Sequence, residues 1–258
     1  MRFFRNLLLF LISPLPLAAG SFVGDVIVIG EYHDNPHHHE RQAEIVAEVA
    51  PGAIVFEMLT REQAARHVPG ADATTLENMF DWQNSGWPPF SMYYPIFAAA
   101  PDARIFGAGV PRAEARLVRE KGIAFAFGIG AGAYGLNDPL PEFEQSAREA
   151  DQMAAHCDAL PEELLPFMVD FQRLRDARLA QQTVRALELT GGPVVVITGN
   201  GHARRDRGMA VYLQRVKPAA AILVLGQGEE GSPPPAGTFD RITTAPAVER
   251  DDPCTAFQ

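Results

Sequence analysis

Residues 25–42 read DVIVIGEYHDNPHHHERQ, and the organisation of the whole chain follows from them. Val26-Ile27-Val28-Ile29 is a continuous apolar run with no polar alternation, the pattern of a strand buried on both faces. Gly30 ends it. Asn35-Pro36 then offers an N-cap residue and a proline at the first helical position, so a helix is expected through HHHERQAEIVAEVA. A second apolar run, Ala53–Phe56, comes next, and strand, helix, strand implies a right-handed parallel crossover. With Asp25–Ile29 as the first strand, further runs at Ala103–Phe106, Val194–Thr198 and Ala221–Leu225 extend the series. Phe239–Thr243 offers a last strand after the loop through Pro233-Pro234-Pro235, and Ile123–Phe127 is also strand-like. The fold class expected is α/β, a predominantly parallel sheet flanked by helices, with a smaller all-helical subdomain. That subdomain rests on Leu160–Leu189, an amphipathic pattern too long for a crossover and broken only by Pro166. Helical or lid segments are placed at about 60–95 and 137–190, the first containing the aromatic stretch Trp82 to Tyr94.

Composition sets the outer limits. The chain has 258 residues, 47% hydrophobic and 21% charged, enough for one substantial core and unlike a disordered polymer. Acids outnumber bases by 32 to 22, a net charge of −10, so no basic surface is available for a nucleic-acid backbone. Residues 1–20, MRFFRNLLLFLISPLPLAAG, have the form of a secretory signal peptide: Arg2 and Arg5, an apolar stretch, then Ala18-Ala19-Gly20. Its removal takes the charge from −10 to −12. Pro14 and Pro16 break a run already shorter than the roughly 20 residues of a membrane span, so stable membrane insertion is not expected. No cysteine follows that could carry a lipid. The two cysteines, Cys157 and Cys254, are expected to form one bridge in a periplasmic or secreted protein.

Chemistry falls at the strand ends. In extended backbone alternate residues share a face, so Glu31 and His33 point into one space. Glu57 directly follows the second strand, and Gly199-Asn200-Gly201-His202 follows the fourth. In an open parallel sheet the carboxyl ends line one edge, where ligands bind, so Glu31, His33, Glu57 and His202 are expected to meet there. Glu57 is the most telling, because it follows Ala-Ile-Val-Phe without a polar break and a carboxylate so placed must be paired, hydrogen-bonded or coordinated. Gly30, Gly199 and Gly201 are expected to permit close backbone approach. Two uses suit the four side chains: general acid and base catalysis of hydrolysis, or ligation of a divalent metal ion that activates water. His38 and His39, in the first helical turn, overlook the same crevice, whereas His37 is expected in solvent. Gly130, Gly132 and Gly135 fit GxGxxG, but Asn137, Pro139 and Pro141 stand where a phosphate-binding helix should begin, so dinucleotide binding is discarded.

Taken together, GEYHDNPHHHERQ, the strand ending FEM, WPPFSMYYPIF, Gln172 to Asp176, GNGHARRDRG and the final Asp252-Pro253-Cys254 resemble the ChaN family of haem-binding proteins, related to the Tiki, TraB and erythromycin-esterase-like proteins. The resemblance spans about residue 22 to the C-terminus. It implies a parallel-sheet domain with a smaller helical one, haem bound at a homodimer interface, and a part in iron acquisition. The matching positions are Glu31, His33, Asp34, His38, His39, Gln42, Glu57, Tyr93, Gln172, Asp176 and His202. Haem would need a Tyr or His axial ligand, for which Tyr93 and Tyr94 are the best placed and Tyr32 lies beside the first motif, and arginines such as Arg173 or Arg175 to offset its propionates. Some of the wider relatives are hydrolases, which keeps the hydrolytic use of the same Glu and His positions as the alternative.

Overall fold

The computed structural model describes residues 22–252 and 254–255, so the expected signal peptide lies outside the described residues. In chain order the elements are β1 (Val26–Ile29), α1 (Pro36–Val49), β2 (Ala53–Phe56), α2 (Arg61–Ala64), α3 (Ala73–Met79), α4 (Phe90–Ala99), β3 (Arg104–Gly107), α5 (Arg112–Lys121) and α6 (Ile123–Phe127). There follow α7 (Glu142–Ala155), α8 (Leu165–Thr190), β4 (Val194–Ile197), α9 (Met209–Val216), β5 (Ile222–Glu229) and β6 (Arg241–Ala245). The six strands form a single sheet in the order β3-β2-β4-β1-β5-β6, and every pairing is parallel.

The apolar runs explain this arrangement. Along β1, Val26 and Val28 enter one core while Ile27 and Ile29 enter the other, and β2 and β4 divide in the same way. Such strands must be covered on both faces. Helices α1 and α4 cover one side with Ile45, Val46, Phe90 and Phe97; α5, α6, α8 and α9 cover the other with Val118, Phe127, Leu174 and Leu213. Helix α1 starts as expected: the Asn35 side chain accepts from His37 N, and Pro36 occupies the first turn. Among the described residues no helix is long and apolar enough to cross a membrane.

Ile123–Phe127 is the correction. It forms α6, bracketed by Gly122 and Gly128 at φ of 84° and 80°, and its apolar side chains pack into the core beside α8. A run of five apolar residues does not distinguish strand from helix. Its backbone is satisfied from α8, where Arg178 Nη2 donates to Ala126 O at 3.1 Å. Of the aromatic segment, Trp82, Phe90 and Tyr93 are buried in the core shared with α1, and Trp87 lies 4.8 Å from the His33 ring at the sheet edge.

Register fixes where the strand ends lie. Ile29, Phe56, Ile197 and Leu225 stand side by side across the sheet, so Gly30-Glu31, Glu57 and Thr198-Gly199 all leave it at one edge, where β5 runs on to Glu229 beside β6. Cys157, just beyond α7, and Cys254 form a disulfide across 97 residues, with Cα atoms 5.5 Å apart. A closed loop of that length stabilises by about 4–5 kcal/mol through the unfolded chain. Cys254→Ser should therefore lower the unfolding free energy read from urea denaturation by most of that amount without changing the far-ultraviolet circular dichroism of the folded protein.

Candidate functional site

Two carboxylates organise the carboxyl edge. Glu57, one residue past β2, is almost wholly buried. Its Oε2 accepts from Thr198 Oγ1 at 2.5 Å and from Gly199 N at 2.8 Å, while Oε1 pairs with Arg175 of α8 and lies 3.7 Å from His202 Nε2. Burial alone would raise its pKa. The charges of His202, Arg175 and His33 and the Thr198 hydrogen bond outweigh that and hold the carboxyl well below its ordinary value. His202 Nδ1 in turn contacts Asp176 Oδ1 at 2.8 Å, and Asp176 is next to Arg175 on α8. Burial pushes the Asp176 carboxyl up despite the opposing influence of His202.

Glu31 is the second anchor. Its Oε1 meets His33 Nδ1 at 2.7 Å and accepts from Tyr93 Oη at 3.0 Å, and its Oε2 accepts from Gln42 Nε2 at 2.6 Å. The shared face expected for Glu31 and His33 is thus realised. Desolvation would lower the His33 pKa, but the Glu31 hydrogen bond and the charges of Glu57 and Glu31 prevail, so it stands above its ordinary value. The imidazole rests on backbone: a methyl added at Gly199 would lie 2.9 Å from His33 Nε2. Gly30 is needed likewise, its absent side chain leaving room for Asn200 Oδ1, whereas a methyl at Gly201 would meet open space.

The remaining predicted residues take distinct places. His38 Nδ1 accepts from Tyr32 N at 2.9 Å, so its Nε2 donates to Gly228 O at 3.1 Å; burial lowers its pKa. His39 Nε2 donates to His33 O at 2.9 Å, and its Nδ1 lies 3.5 Å from Glu31 Oε2, short of hydrogen-bonding geometry. Both are buried props beneath the first motif, while His37 stands at the surface near Glu40. Tyr93 is fully buried and Tyr94 packs near Phe90, away from the cleft; the tyrosine that lines the cleft is Tyr32. Arg173 is spent on Asp170 and the carbonyls of Gly135 and Asp138, whereas Arg175 faces the cleft.

These groups surround a cleft of about 1090 Å³ between the sheet edge and α7. Its walls combine Tyr32, His33 and His202 with Val169, Pro233 and Pro234, and Arg148, Arg175, Arg204, Arg207 and Arg250 supply positive charge. Arg250 was invisible to motif reasoning. It comes from the C-terminal tail, grips Asp34 and Glu229, and has its guanidinium 5.8 Å from the Tyr32 ring centroid. At the expected metal set, the oxygens of Glu31 and Glu57 already face protein donors, and among the described residues no group of three or more His, Cys, Asp or Glu is arranged to hold an ion.

An all-parallel α/β sheet covered on both faces, with a large cleft at its carboxyl edge lined by arginines and carboxylates, is the architecture in which small molecules are bound at that edge. The comparison with known families narrows this. The family described as haem-binding uptake, Tiki superfamily, ChaN matches residues 23–213, and the chain belongs to it. A solved structure described as cofacial haem binding to ChaN of Campylobacter jejuni shares the fold, with a TM-score of 0.59 at 19% identity over 84% of this chain and 86% of that one. A Bacillus cereus protein aligns over 88% of this chain and 72% of its own at 12% identity, with a TM-score of 0.37 too low to carry an argument. No curated protein matches.

Two outcomes test the electrostatics. Because the Glu57 pKa is depressed when folded, its ionised form stabilises above the ordinary 4.5 and that contribution fades as pH falls below it. Glu57→Gln should cost about 3 kcal/mol at neutral pH, as for a broken buried pair, with the deficit shrinking in acid; urea unfolding as a function of pH measures it. For His33, nuclear magnetic resonance titration of the imidazole should give a midpoint above 6.5 in the native protein and a lower one in Glu31→Gln.

Proposed function

We propose that this protein is exported and binds haem in the carboxyl-edge cleft, with Tyr32 as the iron ligand, in the service of haem or iron acquisition. The observation that carries the reading is a phenol of ligand type at the mouth of a cleft of this size in a member of a haem-binding family. The volume of about 1090 Å³ lies at the upper end of the roughly 300–1,000 Å³ span of small-ligand pockets, room enough for a macrocycle. Among the described residues the Tyr32 hydroxyl has no hydrogen-bond partner, while its backbone N–H is fixed by His38 and its ring is flanked by His38 and Arg250.

The chain's own residues divide the work. Burial and the nearby Glu229 charge raise the Tyr32 pKa and Arg250 opposes them only in part, so the phenolate that ligation needs would have to be drawn out by the iron itself. Val169, Ala154, Ala155 and the Pro233-Pro234 turn offer apolar surface to a porphyrin face. Arg148, Arg204 and Arg207 sit where propionates could be met by charge-assisted hydrogen bonds, against the net acidity of the chain. Bound haem would supply a ferric centre able to accept the phenolate oxygen. Export is supported by the Arg2 and Arg5 start, the apolar stretch after it and the disulfide; two chains facing each other across bound haem belong to the same reading. A hydrolytic use of Glu31, His33, Glu57 and His202 has less support, because neither carboxylate keeps an oxygen clear of protein donors to activate water.

Titration of the protein from residue 22 onward with hemin should give a saturable, shifted Soret band. Tyr32→Phe should weaken binding about tenfold or more, the loss of one good ligand contact, while Tyr93→Phe changes it little. Unsaturable absorbance, or full retention in Tyr32→Phe, would overturn the reading.

A further inference from the structure

The two walls of the cleft come from distant parts of the chain, and a short strap joins them. One wall is the sheet edge, with Tyr32, Asp34 and Glu229 at the end of β5; the other is the last turns of α7, where Ala154 and Ala155 face the cleft. After β6 the chain returns to the first wall. Asn35 Nδ2 donates to Pro246 O at 3.0 Å, and Arg250 donates to both oxygens of Asp34, at 2.5 and 2.7 Å, and to both of Glu229, at 2.7 Å each. Four residues on, Cys254 is bonded to Cys157, two positions past the end of α7. Four peptide steps reach at most about 14 Å, so Arg250 and Cys254, each held to a different wall, link the two.

The disulfide is the durable half of this tie. Of the ion pairs beside it, that to Asp34 is solvent-facing, with half of the Asp34 side chain and a third of the Arg250 side chain exposed, and a pair of that kind holds a segment weakly, which leaves the buried Glu229 as the anchor of Arg250 on that side. On the helical side, Asp151 of α7 meets Arg207 at 2.7 Å but is itself 54% exposed. The bonded end is also strained: Cys157 and Asp158 both adopt φ of 57°, left-handed backbone that residues with a side chain avoid. Freed from the bond, this turn has a reason to relax, and α7 ends on it.

We propose that the strap is a redox-released latch on the cleft, an inference that rests on the haem reading for the identity of the ligand. With the bond intact, the α7 wall is held and Arg250 is kept over Tyr32; reduction releases the strap and speeds ligand exchange. The reductant is a small dithiol, to which the half-buried cysteines are accessible. Its thiolate attacks one sulfur, the Cys157–Cys254 bond breaks, and its second thiol displaces the protein from the mixed disulfide. Two electrons and two protons pass to the chain, leaving two cysteine thiols and the oxidised dithiol.

The test uses the same protein, oxidised and reduced, with Cys254→Ser as a reduction-proof control. Release of hemin to excess apomyoglobin should quicken about tenfold on reduction with dithiothreitol, while Cys254→Ser releases at the fast rate with or without it. A second readout needs no ligand: amide hydrogen exchange in residues 246–252 and at the end of α7 should rise about fivefold or more in Cys254→Ser, as expected of a segment that opens locally. Raised exchange without hemin binding in any form removes the haem reading and leaves the latch standing. Unchanged exchange with intact hemin binding and equal release rates removes the latch and leaves the haem reading.

Discussion

A carboxylate buried at the end of a central strand is the constraint on which the site depends. Glu57 emerges where β2 leaves the sheet, and ionised it needs donors on every side. Thr198 and Gly199 supply them from the end of β4, Arg175 from α8, and Asp176, the next residue of α8, reaches it indirectly through His202. Adjacent positions on one helix therefore clamp that helix to two strand ends. The cleft is the space left between this clamp and α7, so its shape follows from satisfying one charge.

Glu31 repeats the solution two strands further along, beyond β4. Gln42 and Tyr93 fasten it from α1 and α4, and His33 completes its shell from the outside. Tyr32, between Glu31 and His33, lines the cleft together with both. An acidic chain thus presents a local face of arginines and a phenol, because its carboxylates at this edge are either buried as anchors or already gripping the guanidiniums.

Much of this was legible in the amino-acid sequence, for identifiable reasons. The strands could be read because strands buried on both faces are uniformly apolar, and the convergence of Glu31, Glu57 and His202 because parallel strands send their carboxyl ends to one edge. Ile123–Phe127 could not, since five apolar residues satisfy either period. The orientation of Tyr93 was not legible for a related reason: it lies on a helix whose faces are nearly all apolar, and nothing local indicates that it turns to Glu31. Arg250 left no signal at all, because its partner Asp34 lies 216 residues away and the contact exists only once β6 has joined the sheet.

The most direct measurement of the central claim is the position of the iron in crystals of the hemin-loaded protein, located by anomalous scattering at the iron absorption edge. The account predicts an iron peak inside the carboxyl-edge cleft, bonded to the Tyr32 phenolate oxygen. A peak bonded to another side chain, or lying outside that cleft, would contradict it.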